Sequence, residues 1–210
     1  MEDLKKVFAG KLLGIKAIKL QPNDPFTWAS GWKSPFYCDN RKTLSFHDVR
    51  SFVKLELVHA ILENFPEATA VAGVATGAIA QGMLVADELA LPYAYVRPKP
   101  KDHGMKNQIE GELPAGAKVI VVEDLISTGG SSLKAVAALR EAGFEVVGMV
   151  ASYTYGFPVA EEAFREAGVN LVTLTDYEHV VEKALETGYI KETDVPMLHE
   201  WREDPANWRK

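Results

Sequence analysis

The sequence holds a single cysteine, Cys38, in 210 residues. One thiol excludes an intrachain disulfide and a cysteine-built metal cluster, and it suits a reducing cytoplasm. Positive charge is also scarce: 23 lysines and arginines stand against 29 aspartates and glutamates, a net charge of −6. That balance excludes nucleic-acid binding through bulk positive charge but leaves room for a local basic pocket. No stretch approaches the roughly 20 apolar residues of a membrane-spanning helix. The first residues, Met1-Glu2-Asp3-Leu4-Lys5-Lys6, carry mixed charge and no apolar segment, so they do not read as a signal peptide. His47, His59, His179 and His199 have no companions at metal-ligand spacing. There is no Gly-Lys-Ser/Thr after a glycine loop, which excludes a Walker A site, and no GxGxxG dinucleotide fingerprint. What remains is an ordinary globular composition, 47% hydrophobic and 25% charged, long enough for a single domain over residues 1–210.

Hydrophobic periodicity predicts a helix over Glu2 to Leu13 and another from Phe46 to Phe65, with Ser45 as its N-cap. Between them, residues 21–45 are broken by Pro22, Pro25, Gly31 and Pro35 and read as short strands and turns. A β/α alternation follows. Strands are expected at Ala70–Val74, Tyr93–Val96, Lys118–Val122, Glu145–Ala151 and Leu171–Thr175. Helices are expected at Ile79–Leu89, Ser132–Ala142, Val159–Ala167 and Tyr177–Glu186, the last with Asp176 as N-cap and Gly188 as C-cap. This alternation implies an α/β fold, a mostly parallel central sheet flanked by helices, with ligands beyond the carboxyl ends of the strands.

The decisive stretch is Val121-Val122-Glu123-Asp124-Leu125-Ile126-Ser127-Thr128-Gly129-Gly130. An apolar strand runs into two acids, then a hydroxyl- and glycine-rich loop, then a helix. The glycines let backbone N–H groups face a phosphate, the hydroxyls add donors, and the helix N-terminus adds partial positive charge. The acids come earlier, where they would face a sugar. Such a site holds a ribose 5-phosphate by both ends. An ordinary βα turn with incidental acids is the plain alternative. Two adjacent acids directly after a β-branched run make it the weaker one.

A second segment, Arg97-Pro98-Lys99-Pro100-Lys101-Asp102-His103-Gly104, crowds cations into an extended loop that two prolines keep from becoming helical. A cationic loop is costly to bury and easy to order on a polyanion, which suits a lid over pyrophosphate. A solvated charged loop is the plain alternative. His103, between Lys101 and Gly104, can change charge near neutral pH and so donate to that polyanion.

The first string resembles the signature of the type I phosphoribosyltransferases. Lys101-Asp102-His103-Gly104 resembles the catalytic loop of the orotate phosphoribosyltransferases within that family. Phe26-Thr27-Trp28-Ala29-Ser30-Gly31-Trp32-Lys33-Ser34-Pro35-Phe36-Tyr37 is similar to that family's Ser-Gly-x-x-Ser-Pro segment. The resemblance spans nearly the whole chain. It implies the type I phosphoribosyltransferase fold with a small N-terminal hood, to which residues 1–45 contribute. It implies transfer of the 5-phosphoribosyl group from phosphoribosyl pyrophosphate to orotate, giving orotidine 5′-monophosphate and pyrophosphate. Magnesium would accompany the pyrophosphate with no dedicated protein ligand set. The implied assembly is a homodimer, loop 97–111 of one subunit completing its neighbour's site, without nucleic acid or membrane.

On that pattern Arg97, Lys99, Lys101 and His103 take the pyrophosphate, and Glu123 and Asp124 hold the ribose hydroxyls. Asp124 also lies near the positive charge that develops on the ring. Ser127, Thr128, Gly129, Gly130 and Ser131 hold the 5′-phosphate by backbone N–H and hydroxyl, Leu125 and Ile126 before them are also counted as substrate-binding, and Ser127 also touches orotate. Lys101, His103 and Asp124 are the expected catalytic residues. Lys33 and Tyr37 are expected in the hood against the base.

The chain departs from the family where other members carry basic residues. Ala29 replaces a lysine, with Lys33 or Arg41 as alternative sources of charge, and Pro98 follows the loop arginine. Thr76-Gly77-Ala78 stands for Tyr-Lys-Gly, and Tyr153-Thr154-Tyr155 stands where some members have a base-contacting arginine. Two other readings share parts of this pattern. A purine or uracil phosphoribosyltransferase would keep Glu123-Asp124 without needing Lys-Asp-His-Gly. A nucleic-acid-binding regulator that senses phosphoribosyl pyrophosphate would need a basic face.

Overall fold

Asp3 begins the first helix by accepting the Lys5 N–H at 3.0 Å, and α1 (Leu4–Gly14) buries Phe8, Ala9, Leu12 and Leu13. The structure, a computed structural model, describes residues 3–27, 31–99 and 108–209. After α1 the chain forms two small antiparallel ribbons. β1 (Ile18–Leu20) pairs with β4 (Phe36–Cys38), and β2 (Phe26–Thr27) pairs with β3 (Lys33–Ser34). A 3-10 helix (Asn40–Ser45) then leads into α2 (His47–Asn64). The sequence predicts Ser45 as the cap of α2. Ser45 instead closes the 3-10 helix, and Phe46 occupies the cap position with no side-chain hydrogen bond.

The β/α part follows the alternation of the sequence: β5 (Ala70–Val74), α3 (Ile79–Leu89), β6 (Tyr93–Val96), β7 (Ile109–Glu110), β8 (Lys118–Ile126), α4 (Gly130–Glu141), β9 (Glu145–Thr154), α5 (Pro158–Glu166), β10 (Leu171–Asp176), α6 (Tyr177–Glu186) and α7 (Val195–Glu203). The central sheet has the order β10-β9-β8-β5-β6-β7. Only β7, at the edge, runs antiparallel to its neighbour. Helices cover both faces, so the inner strand β5 is apolar throughout and every one of its residues is buried. Strand alternation splits the core. Ala70, Ala72, Val74, Val119 and Val121 pack with α4 and α5, whereas Val71, Ile120 and Val122 pack with α1, α2, α3, α6 and α7. Among the described residues no helix is long and apolar enough to cross a membrane.

Three boundaries differ from expectation near the motif. β8 continues past Val122 to Ile126, α4 begins at Gly130, and β9 runs on to Thr154. Leu125 and Ile126 pair in register with Tyr153 and Thr154, so each strand extends the other. At the C-terminus, Asp176 caps α6 by accepting the His179 N–H at 3.1 Å; the C-cap is Thr187, with Gly188 next at φ +69°. Trp201 of α7 is fully buried, and Trp208 nearly so, against the body of the domain.

Candidate active site

The turn after β5 leads into α3 on one face of the sheet, and the turn after β8 leads into α4 on the other. Neighbouring parallel strands whose connections part in this way open a crevice at their carboxyl ends. The acid pair and the glycine loop lie at the end of β8 beside that crevice.

Because side chains alternate along a strand, Glu123 and Asp124 point to opposite faces. Glu123 turns toward α4 and is 5% exposed. Its Oε2 accepts the Ser132 hydroxyl at 2.8 Å, and its Oε1 accepts the Asp124 N–H at 2.9 Å. Burial, reinforced by the Asp124 charge, holds the Glu123 carboxyl well above the usual carboxylate range. Asp124 turns the other way, half-buried, and lies directly over the backbone of Gly77. A Cβ at Gly77 would collide with its carboxylate. Burial raises the Asp124 pKa, and the nearby Arg41 charge opposes that rise. The peptide joining Ala75 to Thr76 in the same turn is cis. Of the two acids, Asp124 is the one presented to the crevice.

Beyond Asp124, Leu125 packs against one core layer and Ile126 is wholly buried in the other. Their side chains anchor the loop while their backbone extends the strand. Gly129 has φ +79°, and a Cβ there would come within 2.9 Å of Phe164 on α5. None of the described hydrogen bonds is donated by the backbone N–H groups of Ser127, Thr128, Gly129, Gly130 or Ser131. These free donors at the start of a helix of 12 residues form an anion cradle. Gly129→Ala is expected to lower stability by about 2–4 kcal/mol, combining left-handed strain with overpacking against Phe164. A thermal melt should show a fall of about 5–15 °C.

The basic segment lies outside the described residues from Pro100 to Asn107, so Lys101 and His103 have no described position. Its stem is described. Arg97 donates its N–H to Gln108 O at 2.8 Å, and Gln108 Nε2 donates back to Arg97 O at 3.0 Å. The Arg97 guanidinium sits 3.6 Å from Glu110, with Nη1 buried and making no hydrogen bond. Arg97, Lys99 and Gln108 line a cleft of about 250 Å³ whose other walls include Ala75, Ser131 and Lys134. Lys134, one turn into α4, adds a cation that the motif did not single out. Its position three residues after Ser131 was the available signal, since that spacing puts both on one helix face.

In the hood, Lys33 Nζ donates to Thr27 Oγ1 at 2.8 Å, and Tyr37 is 38% exposed beside Phe26, with ring centroids 5.4 Å apart. Arg41 is paired with Asp39 at 2.7 Å. Trp28, Ala29 and Ser30 lie outside the described residues. Tyr153 and Tyr155 belong to a buried aromatic cluster with Phe36, Phe157, Tyr177 and Trp201. Phe36 lies 5.8 Å from Tyr153 and 6.2 Å from Trp201, both stacked. Arg202 of α7 fastens the end of β9 by donating to Tyr155 O and Gly156 O at 3.2 and 3.0 Å. The two tyrosines thus hold the hood ribbon to the sheet. Among the described residues no group of three or more His, Cys, Asp or Glu side chains is arranged to hold a metal.

A family model for the phosphoribosyl transferase domain matches residues 56–184. The orotate phosphoribosyltransferase of Phocaeicola vulgatus is 69% identical over 208 residues, covering 99% of this chain and 98% of that protein. The crystal structure of orotate phosphoribosyltransferase from Aeropyrum pernix is 30% identical, with a TM-score of 0.76, covering 88% of this chain and 99% of that one. The structure of Leishmania donovani UMP synthase shares the fold, with a TM-score of 0.79 at 23% identity, this chain spanning 42% of that longer one. With its acid pair, free N–H cradle and cationic stem at the switch between β5 and β8, the chain belongs to the phosphoribosyl transferase family and, within it, to the orotate phosphoribosyltransferases.

Proposed function

We infer that the protein transfers the 5-phosphoribosyl group from phosphoribosyl pyrophosphate to orotate, releasing orotidine 5′-monophosphate and pyrophosphate. Near-complete coverage at 69% identity supports the substrate pair. The observation that carries the chemistry is Asp124, held over Gly77 a few residues from the free N–H groups of Ser127 to Ser131. That spacing suits one ligand with a phosphate at one end and ring hydroxyls at the other.

Breaking the bond from the anomeric carbon to pyrophosphate leaves positive charge on the sugar ring and negative charge on the leaving group. Asp124 stabilises the first, and Arg97, Lys99, Lys101 and His103 stabilise the second. The cradle from Ser127 to Ser131, anchored by Leu125 and Ile126 at the substrate-binding end of the strand, fixes the 5′-phosphate, and Ser127 also meets the base. Glu123, bonded to Ser132, braces the backbone of Asp124 and lies at the edge of the ribose site. Lys33 and Tyr37 flank the base in the hood formed within residues 1–45 of this single domain. Magnesium fits this donor set, because it favours substrate phosphate oxygens with one or two carboxylates over an all-protein cage. Bound with the pyrophosphate, it would neutralise charge on the leaving group.

A homodimer is supported by apolar side chains left exposed on α2 and α3, Leu62 at 57% and Met83 at 46%. A cytoplasmic setting is supported by the lone cysteine. Lys134 shares the cleft of Arg97 and Lys99 and has no described carboxylate partner. Lys134→Ala is expected to raise KM for phosphoribosyl pyrophosphate about 3- to 10-fold with kcat little changed, the size of one partly screened charge. Steady-state kinetics at two salt concentrations would check it.

The reading is tested by the loss of orotate ultraviolet absorbance after phosphoribosyl pyrophosphate and magnesium are added to the pure protein, with adenine, hypoxanthine and uracil in parallel. Loss with orotate alone, abolished by a chelator, is the expected result. Turnover of another base alone would move the specificity to a purine or uracil enzyme. No turnover of any base would overturn the enzymatic reading.

A further inference from the structure

β8 outruns its neighbour at the acid pair. Its ladder with β5 stops at Gly73 and Val122, and from Glu123 to Ile126 it is paired with β9 alone. Asn40, at the start of the 3-10 helix, takes the place a strand partner would have held. Its Nδ2 donates to the Asp124 carbonyl at 2.5 Å across 84 positions of sequence. Both oxygens of Asn40 are also engaged. Its Oδ1 accepts the Cys38 thiol at 3.4 Å, and its carbonyl accepts the Thr43 hydroxyl at 2.7 Å. Thr43 Oγ1 accepts Gln81 Nε2 at 3.1 Å, and Gln81 lies on α3, one turn beyond Gly77. Asn40, Thr43 and Gln81 are 4%, 1% and 3% exposed. A buried polar chain therefore runs from α3 through the hood to the backbone of Asp124.

We propose that Asn40 is a positioning residue that ties the base hood to Asp124, so that hood and ribose carboxylate are set in place together. Its partners span the three parts that must agree: β4 and the 3-10 helix on the hood side, Asp124 on β8, and α3 behind the turn that underlies the carboxylate. A buried amide bonded through both its nitrogen and its oxygen is costly to misplace, which gives the link its stiffness. No other described side chain donates to the Asp124 carbonyl.

The proposal rests on the phosphoribosyl transfer read above, so wild-type turnover of orotate is measured first; its absence would sink that reading and not this one. With turnover established, Asn40→Ala is expected to lower kcat/KM for phosphoribosyl pyrophosphate about 10- to 100-fold, the scale of a misplaced catalytic group. Inhibition by inorganic pyrophosphate should be unchanged, since the cationic cleft lies apart from Asn40. Asn40→Ala is then combined with Asp124→Asn. If Asn40 acts through Asp124, it should cost less than about 3-fold in that background, because coupled residues are non-additive. Full additivity, or an equal loss of pyrophosphate inhibition, would overturn the proposal. Should Asn40→Ala fail to fold, Thr43→Val loosens Asn40 from its other side and is read by the same double-mutant criterion.

Discussion

Asp124→Asn is expected to lower kcat roughly 100- to 1,000-fold while leaving the melting temperature close to wild type, as for loss of one preorganised charge at a transition state. The substitution keeps the shape of the side chain, so the space above Gly77 stays filled. What it removes is the negative charge that the proposed mechanism sets against the ring as the bond to pyrophosphate breaks. At about 1.4 kcal/mol per factor of ten, the expected loss corresponds to about 3–4 kcal/mol of transition-state stabilisation. Half-burial makes that magnitude reasonable, because a charge partly screened from water acts through a lower dielectric. The same burial raises the Asp124 pKa. Its charged form is then lost, as pH falls, at a higher pH than for an ordinary aspartate. Wild-type kcat should show an acid limb for this titration, and the asparagine variant should lack it. A variant with wild-type kcat would remove Asp124 from the chemistry.

The contrast between Asp124 and its neighbour marks the limit of what the sequence disclosed. Adjacent acids read as a pair, and the family resemblance sets both on the ribose hydroxyls. Alternation along a strand sends them to opposite faces, but that holds only if the strand continues through them. Continuation depends on β9 running on to Thr154, which pairs with Ile126 from 28 positions away. It also depends on Ser132 satisfying Glu123 from α4. Neither fact is local. Where structure is local, the sequence was sufficient. β5, α3, β6 and α6 have the residue limits that apolar runs and caps predict, because each is bounded by its own turn or cap chemistry.

The hood was the least legible part. Residues 21–45 contain breakers that predict turns, yet what fixes them is the packing of Phe36 on Tyr153 and Trp201 and the Asn40 bond to Asp124. These contacts join segments more than 80 positions apart. The departure at Tyr153-Thr154-Tyr155 gains a physical meaning here. Both tyrosines are enclosed by aromatic neighbours, so the place of an arginine has become part of the hydrophobic support of the hood. On the function proposed above, charge for the orotate carboxylate would come from the hood, where Lys33 is bonded to Thr27 and to no described carboxylate, while Arg41 is already paired with Asp39.

Lys101→Ala is the other substitution expected to have a large effect, roughly 100- to 1,000-fold in kcat, comparable to removing a cation that meets charge only in the transition state. Lys101 lies outside the described residues, so the expectation rests on the Lys101-Asp102-His103-Gly104 string and on the stem. The stem leads the chain out past Lys99 along the cleft of Arg97 and Lys134 and brings it back at Gln108, the two limbs clasped by the Arg97–Gln108 hydrogen bonds. If the loop acts within its own subunit, Lys101→Ala and Asp124→Ala chains mixed together stay inactive. If it crosses to the neighbour, subunit exchange makes dimers in which one site carries both lesions and the other carries neither. Random exchange of equal amounts then yields half of all dimers as mixed, each with one whole site, so about a quarter of all sites are intact. Recovery toward a quarter of wild-type activity is the expected result, read after exchange has been verified by native mass spectrometry. Verified exchange without recovery would confine the loop to its own subunit, where Arg97 and Lys99 already line the same cleft as Ser131.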